Sequence, residues 1–400
     1  MKGRIFGGTL LITGTTIGAG MLALPVTTGL AGFIPSIILI TCVWLLTVYS
    51  AFLILEINLW FKEEANLVTM AKKVLGTTGA VFTWVVYLLL LYSLTAAYIA
   101  GGGPLIITAV QYFFPFKIPV WLGYFIFTAI FGCTICAGTK IVDWINRIFM
   151  IGLVIAFVVL ITQTAPFVNM NLLEHKRWLW AIGALPIIVA SFGFQMVIPS
   201  LTTYLHRDLK SLKIVIWLGT AIPFVVYLIW EYVSMGTVQI YGDYGFVQLL
   251  KKGRPVTDAL AVIIATPWIS KMAQCFAFCS IVTSFLGASL SLSSFLEDGF
   301  NIKNVSWGKI ATFIMAFAPP LYFVICFPSG FILALQYAGV FFALLLQVMP
   351  AVIVLKGRKS APANSYKVTG GKTALIVILI YSSFVICMQI ISETNLLGKP

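Results

Sequence analysis

Two glycine-rich segments are the places where this sequence could do chemistry. The first is residues 7–25, which read GGTLLITGTTIGAGMLALP, and the second is residues 190–199, which read ASFGFQMVIP. Both lie in long uncharged stretches, where a helix in lipid would ordinarily be filled with apolar side chains. When the prolines that end the two segments are aligned, 174 residues apart, Ala19 falls on Gly193.

A helix that is interrupted inside a bilayer leaves backbone N–H and C=O groups unpaired, and each costs several kcal/mol unless it lines a polar cavity or a bound solute. The N-terminus of a half-helix offers N–H donors and the positive dipole end to a carboxylate. Its C-terminus offers carbonyls to an ammonium group or a metal cation. Two interrupted segments at corresponding positions therefore predict a zwitterion site and an inverted repeat. The alternative is that Gly14-x-x-x-Gly18 is only a helix-packing motif.

The composition indicates what class of protein holds these two segments and which partners it has. Hydrophobic residues make up 60% of the 400-residue chain and charged residues 9%, against about 25% charged in soluble proteins. The net charge of +13 sits in short loops between apolar stretches, so a nucleic-acid partner is not expected. Cys133-x-x-Cys136 has no second pair or His beside it, so we expect neither a metal nor a cofactor. The expected partners are the lipid bilayer and a small molecule, with no obligatory protein partner.

Uncharged stretches of about 20 residues, the length that crosses the hydrocarbon, predict eleven transmembrane helices in an all-α integral membrane protein. We expect a single transmembrane domain over 1–400, with repeats at 5–166 and 178–355 and an extra helix at 373–392. The basic residues divide 17 to 8 between the two sides, which predicts a cytoplasmic N-terminus and an outside (periplasmic) C-terminus in the cell (inner) membrane. The stretch 237–267 is predicted to lie over the outer mouth.

Four motifs carry a family resemblance along the whole chain, and they are Gly14-Thr-Thr-Ile-Gly-Ala-Gly-Met21, Glu56-Ile-Asn-Leu59, Ser191-Phe-Gly-Phe-Gln195 and Ile198-Pro-Ser-Leu201. They resemble the aromatic amino acid permeases, most of all the tyrosine-specific branch. The resemblance implies a leucine-transporter-type fold, a 5+5 inverted repeat with broken helices 1 and 6. It implies a secondary active transporter, not an enzyme, that imports an aromatic amino acid, tyrosine first, by cation symport through alternating access.

The resemblance also implies which groups bind the substrate. The N–H groups of Ala19, Gly20 and Met21 would receive its carboxylate. The carbonyls of Thr16 and Ile17, together with Ser191 and Phe192, would take its ammonium group. Gly18 and Gly20 leave room because a Cβ there would push the ligand away. Gly193 lies in the second interruption, and Phe192 and Phe194 would wall the side-chain pocket.

Three further polar residues could face that pocket. Gln195 could bond a phenol hydroxyl and so separate tyrosine from phenylalanine, or it could serve as an interhelical hydrogen bond. The family pattern carries His at this position, a departure that bears on proton handling and on substrate. Tyr92 and Tyr98 on the third span could contact the ligand or simply pack.

The coupling ion has two candidate sites. Ser280, Thr283 and Ser284 share one helix face, and in sodium-coupled members of the fold such oxygens join carbonyls equivalent to those of Gly14 and Ile17; otherwise the hydroxyls only hold helices together. The resemblance favours H⁺, with Na⁺ open. Glu56 and Glu231 are ionisable groups at depth and candidates for proton binding or gating, although both lie near a predicted interface.

Other functions stay open at the level of sequence. One alternative substrate is another neutral amino acid, such as tryptophan or a branched-chain one. A passive channel or a membrane-embedded enzyme is an alternative of a different class. The enzyme would need converging His, Asp or Cys at depth, whereas His175 and His206 both fall in loops. The sequence also has no nucleotide-binding motif for a primary pump.

Overall fold

The computed structural model describes residues 2–61, 65–113, 118–264, 267–301, 306–362 and 365–393. The described chain folds into helices joined by short loops. In chain order these are α1 (Lys2–Thr16), α2 (Gly20–Thr28), α3 (Phe33–Trp60), α4 (Leu67–Phe113), α5 (Val120–Cys136), α6 (Thr139–Thr164), α7 (Met170–Leu173), α8 (Trp178–Gly183), α9 (Leu185–Ser191), α10 (Ile198–Tyr204), α11 (Leu209–Thr237), α12 (Phe246–Lys252), α13 (Val256–Ile263), α14 (Pro267–Gly299), α15 (Ser306–Cys326), α16 (Gly330–Ala343), α17 (Met349–Gly357) and α18 (Gly371–Glu393).

Most of these helices suit a bilayer. In the described ranges nine helical stretches are long and apolar enough to cross a membrane, α1 and α2 together make a tenth, and α5 is apolar but only 17 residues long. Large apolar side chains point outward, such as Trp144 at 66% and Ile151 at 63% exposure. Such a surface would be costly in water but not against lipid chains. The protein is therefore a multi-pass membrane protein.

The first span is broken where the sequence predicts it. Helix α1 ends at Thr16, α2 begins at Gly20, and the two axes are bent by 55°. The break leaves the C-terminal end of α1 and the N-terminal end of α2 facing each other inside the bundle.

The second predicted interruption is a change of helix type as well as a break. Helix α9 ends at Ser191, residues 192–193 are not helical, and a 3₁₀ turn over Phe194–Val197 leads into α10. Proline at the second position of α10 suits its start because the missing N–H would be unpaired there anyway. A local rearrangement of this kind frees backbone groups over about one turn.

Both breaks lie at the centre of the helical packing. Helix α11 packs along α1 and touches α2, α16 packs on α9 and α4, and α14 packs on α6 and α4. On the side opposite the N-terminus, α13 packs on α14 and α2 while α12 packs on α2. These two short helices belong to the stretch 237–267 that was predicted to lie over the outer mouth; residues 265–266 of that stretch lie outside the described residues.

Candidate functional site

A cavity of about 520 Å³ lies against the two breaks. Its wall comes from α1, α2, α4, α6, α9, α14 and α16, together with the non-helical residues at both interruptions. Eleven of the residues that the sequence singles out line it, and they are Gly14, Thr16, Ile17, Gly18, Ala19, Gly20, Tyr98, Ser191, Gly193, Thr283 and Ser284. The volume falls in the range of about 300–1,000 Å³ that is usual for small-molecule sites.

Six other predicted residues lie behind this wall. Met21, Phe192 and Phe194 are fully buried, and none of them lines the cavity in the described structure. Tyr92 points toward α15, where its hydroxyl donates to the Met315 carbonyl at 2.8 Å. Ser280 is buried one turn before Ser284. The side chains at these positions therefore pack between helices.

Gln195, the sixth, also turns away from the cavity. It is 2% exposed, and its Nε2 lies 3.5 Å from the Thr47 carbonyl on α3. Its Oε1 is buried without a hydrogen-bond partner among the described residues. The structure thus places Gln195 between helices, as the interhelical alternative requires.

The N-terminal end of α2 is partly satisfied by the protein itself. The Ala19 N–H donates to Ser284 Oγ at 2.9 Å and the Met21 N–H donates to the Gly18 carbonyl at 3.1 Å. Within the described ranges the Gly20 N–H has no partner. Gly20 is also tightly enclosed, because a Cβ there would lie 3.0 Å from Ser191 Oγ. Of the three predicted carboxylate donors, Gly20 is the one that stays open.

The carbonyl side of the site is bridged by a residue that the sequence did not single out. The Tyr227 hydroxyl on α11 donates to the Thr16 carbonyl at 2.7 Å and to the Ser191 carbonyl at 2.9 Å. A hydroxyl has one proton, so these two acceptors share it. Tyr227 is fully buried. It therefore ties together the ends of α1 and α9, whose carbonyls are the predicted ammonium acceptors.

Helix α11 holds the broken first span at two more points. Trp230 Nε1 donates to the Met21 carbonyl at 2.7 Å, and Thr28 Oγ1 lies 2.9 and 3.1 Å from the carboxylate oxygens of Glu231. Residues 227, 230 and 231 follow the i, i+3, i+4 spacing of one helix face, so all three side chains meet the first span.

The cavity extends toward the side of the membrane that holds the N-terminus. Beyond the breaks its wall is formed by the half of each helix on that side, at Leu10, Leu11, Asn146, Met150, Gly287 and Ser291. On the other side, the rings of Phe157, Trp230 and Phe276 pack together with centroids 5.3 to 6.1 Å apart. The site is thus closed on one face by aromatic packing.

Comparison with known proteins identifies the family. The model of the tryptophan/tyrosine permease family matches residues 1–389. The chain belongs to this family. The permease is 36% identical to the tyrosine-specific transport system 1 of Haemophilus influenzae, over 94% of each chain. It is 31% identical to the tryptophan-specific transport protein of the same organism, over 96% of this chain and 95% of that one.

A solved structure shares the fold of the permease. The crystal structure of a manganese transporter from Eremococcus coleocola superposes with a TM-score of 0.64 at 12% identity, covering 99% of this chain and 88% of that chain. At this identity the likeness concerns the fold alone. In the part of the permease that the structure describes, no group of three or more His, Cys, Asp and Glu could hold a metal ion.

The predicted cation oxygens sit at the edge of the cavity. Thr283 Oγ1 donates to the Cys279 carbonyl at 2.9 Å, and Ser284 Oγ donates to the Ser280 carbonyl at 2.8 Å. Because Ser284 Oγ also accepts the Ala19 N–H, it joins α14 directly to the break. Ser284 is therefore occupied in linking helices in this conformation.

The two membrane carboxylates have different surroundings. Glu56 is fully buried in the last turns of α3, where Arg358 Nε and Nη2 each donate to it at 2.8 Å and the Val368 N–H donates at 2.7 Å. Arg358 and Glu56 thus form a bidentate ion pair. Glu231 is equally buried but has only the Thr28 hydroxyl beside it among the described residues. Neither carboxylate lines the cavity.

Proposed function

We propose that the permease is a secondary active transporter that imports an aromatic amino acid, tyrosine first, by H⁺ symport through alternating access. The observation that carries this proposal is the cavity at the two breaks, where an open N–H donor of α2 faces the carbonyl ends of α1 and α9. The relatives support the substrate class, because two tyrosine-specific transport systems match at 36% and 33% identity and a tryptophan-specific protein follows at 31%.

The substrate is held as a zwitterion. Its carboxylate binds at the N-terminus of α2, first through the Gly20 N–H, with the N–H groups of Ala19 and Met21 recruited as the helices move. Its ammonium group binds the carbonyls at the ends of α1 and α9, those of Thr16, Ile17, Ser191 and Phe192. The side chain lies among Leu94, Tyr98, Met196, Leu335 and Phe342, which give the cavity apolar walls.

The architecture that we propose has eleven spans, with α5 counted among them, arranged as two inverted repeats of five followed by α18. The two breaks, at matching positions along the chain, support this arrangement. The charge count supports a cytoplasmic N-terminus and an outside C-terminus in the cell (inner) membrane; residues 394–400 lie outside the described residues. With that orientation the cavity faces the cytoplasm, so this conformation is the one that releases substrate.

The coupling ion that we propose is H⁺. The hydroxyls of Thr283 and Ser284 donate to carbonyls of their own helix, and Ser284 Oγ takes the Ala19 N–H. A cation at that point would have to displace this helix contact. A proton needs only a single acceptor group, and within the described ranges Glu231 is a fully buried carboxyl group without a basic partner.

Uptake in membrane vesicles tests the function. Vesicles that contain the permease should accumulate radiolabelled tyrosine above the outside concentration when a pH gradient is imposed, and an uncoupler should abolish the accumulation. Competition with unlabelled tyrosine, tryptophan and leucine, each with and without sodium, ranks the substrates and separates the ions. Flux without accumulation would support a channel, and stronger competition by tryptophan would make that the substrate.

A further inference from the structure

We infer that Glu231 is the proton-binding residue of the permease and that its protonation changes how α11 holds the broken first span through Thr28. This inference rests on the proposed H⁺ symport and assigns it to one side chain. It rests on three features of the structure: the burial of Glu231, the hydrogen bonding of Thr28, and the contacts that α11 makes with both breaks.

The burial of Glu231 favours the neutral form. The side chain is fully buried, and the Thr28 hydroxyl is its hydrogen-bond partner. Across the described residues no ion pair joins it to a basic group. Removing a carboxylate from water without a compensating charge is strongly unfavourable, so such a group takes up a proton. Glu56 differs because Arg358 neutralises its charge.

Thr28 makes the hydrogen-bond pattern depend on that proton. Its Oγ1 lies 2.7 Å from the Leu24 carbonyl and 2.9 Å from Glu231 Oε2, and it has one proton for the two acceptors. When Glu231 is protonated, the carboxyl donates to Thr28 Oγ1 and the Thr28 hydroxyl donates to Leu24. When Glu231 is ionised, the Thr28 proton turns to the carboxylate and the Leu24 carbonyl loses that donor. The proton on Glu231 thus sets the bonding in the last turn of α2.

Helix α11 connects this proton to the substrate. Tyr227 lies one turn before Glu231 and bonds the carbonyls of both breaks, while Trp230 bonds the Met21 carbonyl in α2. A change in the Thr28 contact therefore acts on a helix that also holds the ammonium site. The Thr28–Glu231 contact and the Met21–Trp230 contact both depend on the position of α2 relative to α11.

Other ionisable groups near α11 have different settings. Helices α1, α2, α3, α6, α7 and α13 pack on it. Toward the same end of the bundle as Glu231, these elements bring His175, which follows α7 with Nε2 3.3 Å from the Leu30 carbonyl, and Asp258 on α13, which lies 3.9 Å from Arg254. Burial raises the pKa of Asp258 to about 6, and Arg254 opposes that rise. Glu174, the residue directly after α7, lies at the same end as His175. The charged residues on α1, α3 and α6 lie toward the opposite end of the bundle, and they are Lys2, Arg4, Glu56, Lys140, Asp143 and Arg147.

The decisive experiment compares exchange with accumulation in proteoliposomes. Glu231→Gln keeps the size and hydrogen bonding of the side chain but cannot release a proton. We expect this variant to exchange tyrosine for tyrosine at a rate within about threefold of the parent chain, and to lose accumulation driven by a pH gradient, so that the inside-to-outside ratio falls to one. His175→Gln and Asp258→Asn should keep both activities.

A second variant distinguishes a loss of proton binding from a folding defect. Glu231→Asp retains a carboxyl group and should retain accumulation driven by the pH gradient. Accumulation by Glu231→Gln would overturn the assignment, and so would loss of both activities in Glu231→Gln and Glu231→Asp alike, because that result would make the residue structural. Failure of the parent chain to accumulate tyrosine under a pH gradient would instead count against the proposed function itself.

Discussion

At the scale of single residues, Tyr227 is the group that makes the two breaks into one site. Its hydroxyl lies between the carbonyls of Thr16 and Ser191, at 2.7 and 2.9 Å. These carbonyls come from helices far apart in the chain, and they are two of the proposed acceptors of the substrate ammonium group. The ring packs edge-on against Phe192 with centroids 5.2 Å apart, which limits its movement.

Tyr227→Phe should weaken substrate binding more than it weakens folding. It removes the donor that ties the two carbonyls together at the ammonium site, and a loss of about 1–3 kcal/mol there corresponds to a KM for tyrosine raised roughly 5- to 150-fold. Uptake kinetics measure the effect. Tyr232→Phe on the same helix is the matched control, since among the described residues the one hydrogen bond of that hydroxyl is a long one to Met170 Sδ, at 3.9 Å. Equal KM values in the two variants would remove Tyr227 from the site.

Part of this site could be predicted from residue types alone. Gly18, Gly20 and Ser191 could be selected from the sequence. Glycine and serine are unexpected in the middle of a membrane span, where lipid favours larger apolar side chains. Tyr227 could not, because a tyrosine in a membrane helix usually packs, and only the fold brings it to Thr16. Gln195 had two interpretations from the sequence, a contact with the substrate phenol or an interhelical hydrogen bond, and in the structure its amide lies toward α3.

At the scale of elements, the break between α1 and α2 depends on the absence of side chains. A Cβ at Gly18 would lie 2.6 Å from Ser284 Oγ, and a Cβ at Gly20 would lie 3.3 Å from the Ser191 Cα. The half-helices, α9 and α14 can approach only because these positions are glycine. The sequence therefore predicted the break well, whereas the helix type of the second interruption needed the packing of α16, whose Phe342 ring lies against Gly193.

Gly20→Val should abolish uptake while the protein still inserts into the membrane. The branched side chain would push Ser191 away and cover the open N–H of α2. Radiolabelled uptake, with the amount of protein in the membrane measured in parallel, reports the outcome. Gly183→Val is the control, because a Cβ at Gly183 meets nothing within 4 Å among the described residues. Near-normal transport by Gly20→Val would separate the first break from the substrate site.

The ion pair between Glu56 and Arg358 joins α3 to the segment that follows α17. Arg358 also donates to the Val368 carbonyl at 3.1 Å, so the pair fixes the approach to α18. Arg358→Ala would leave a buried charge uncompensated and should destabilise the fold by about 3–5 kcal/mol. Thermal unfolding in detergent measures the change. Arg147→Ala, which breaks the exposed ion pair with Asp143, is the control and should change the stability by less than about 1 kcal/mol. Equal changes in the two variants would show that the buried ion pair does not stabilise the fold.

At the scale of the whole molecule, hydrophobic composition was enough to predict a multi-pass helical bundle. A chain with so few charged residues cannot cover its surface in water, so it must lie in lipid. The helix ends followed from glycine, proline and charged residues. The side on which the cavity closes could not be predicted, since it depends on the packing of Phe157, Trp230 and Phe276. Those rings come from three helices far apart in the chain.

The direction of the cavity can be measured with one helix, α14, which runs the depth of the bundle. Ser291 lines the cavity and is exposed, whereas Ser270 is half-buried near the other end of the same helix. If the N-terminus is cytoplasmic, Ser291→Cys should react with a membrane-impermeant maleimide in inside-out vesicles and tyrosine should slow the reaction. Ser270→Cys should react only in right-side-out vesicles, with the parent chain giving the background of its own seven cysteines. Reversed labelling of the two variants would invert the proposed orientation, and labelling of Ser291→Cys that tyrosine leaves unchanged would place the substrate outside this cavity.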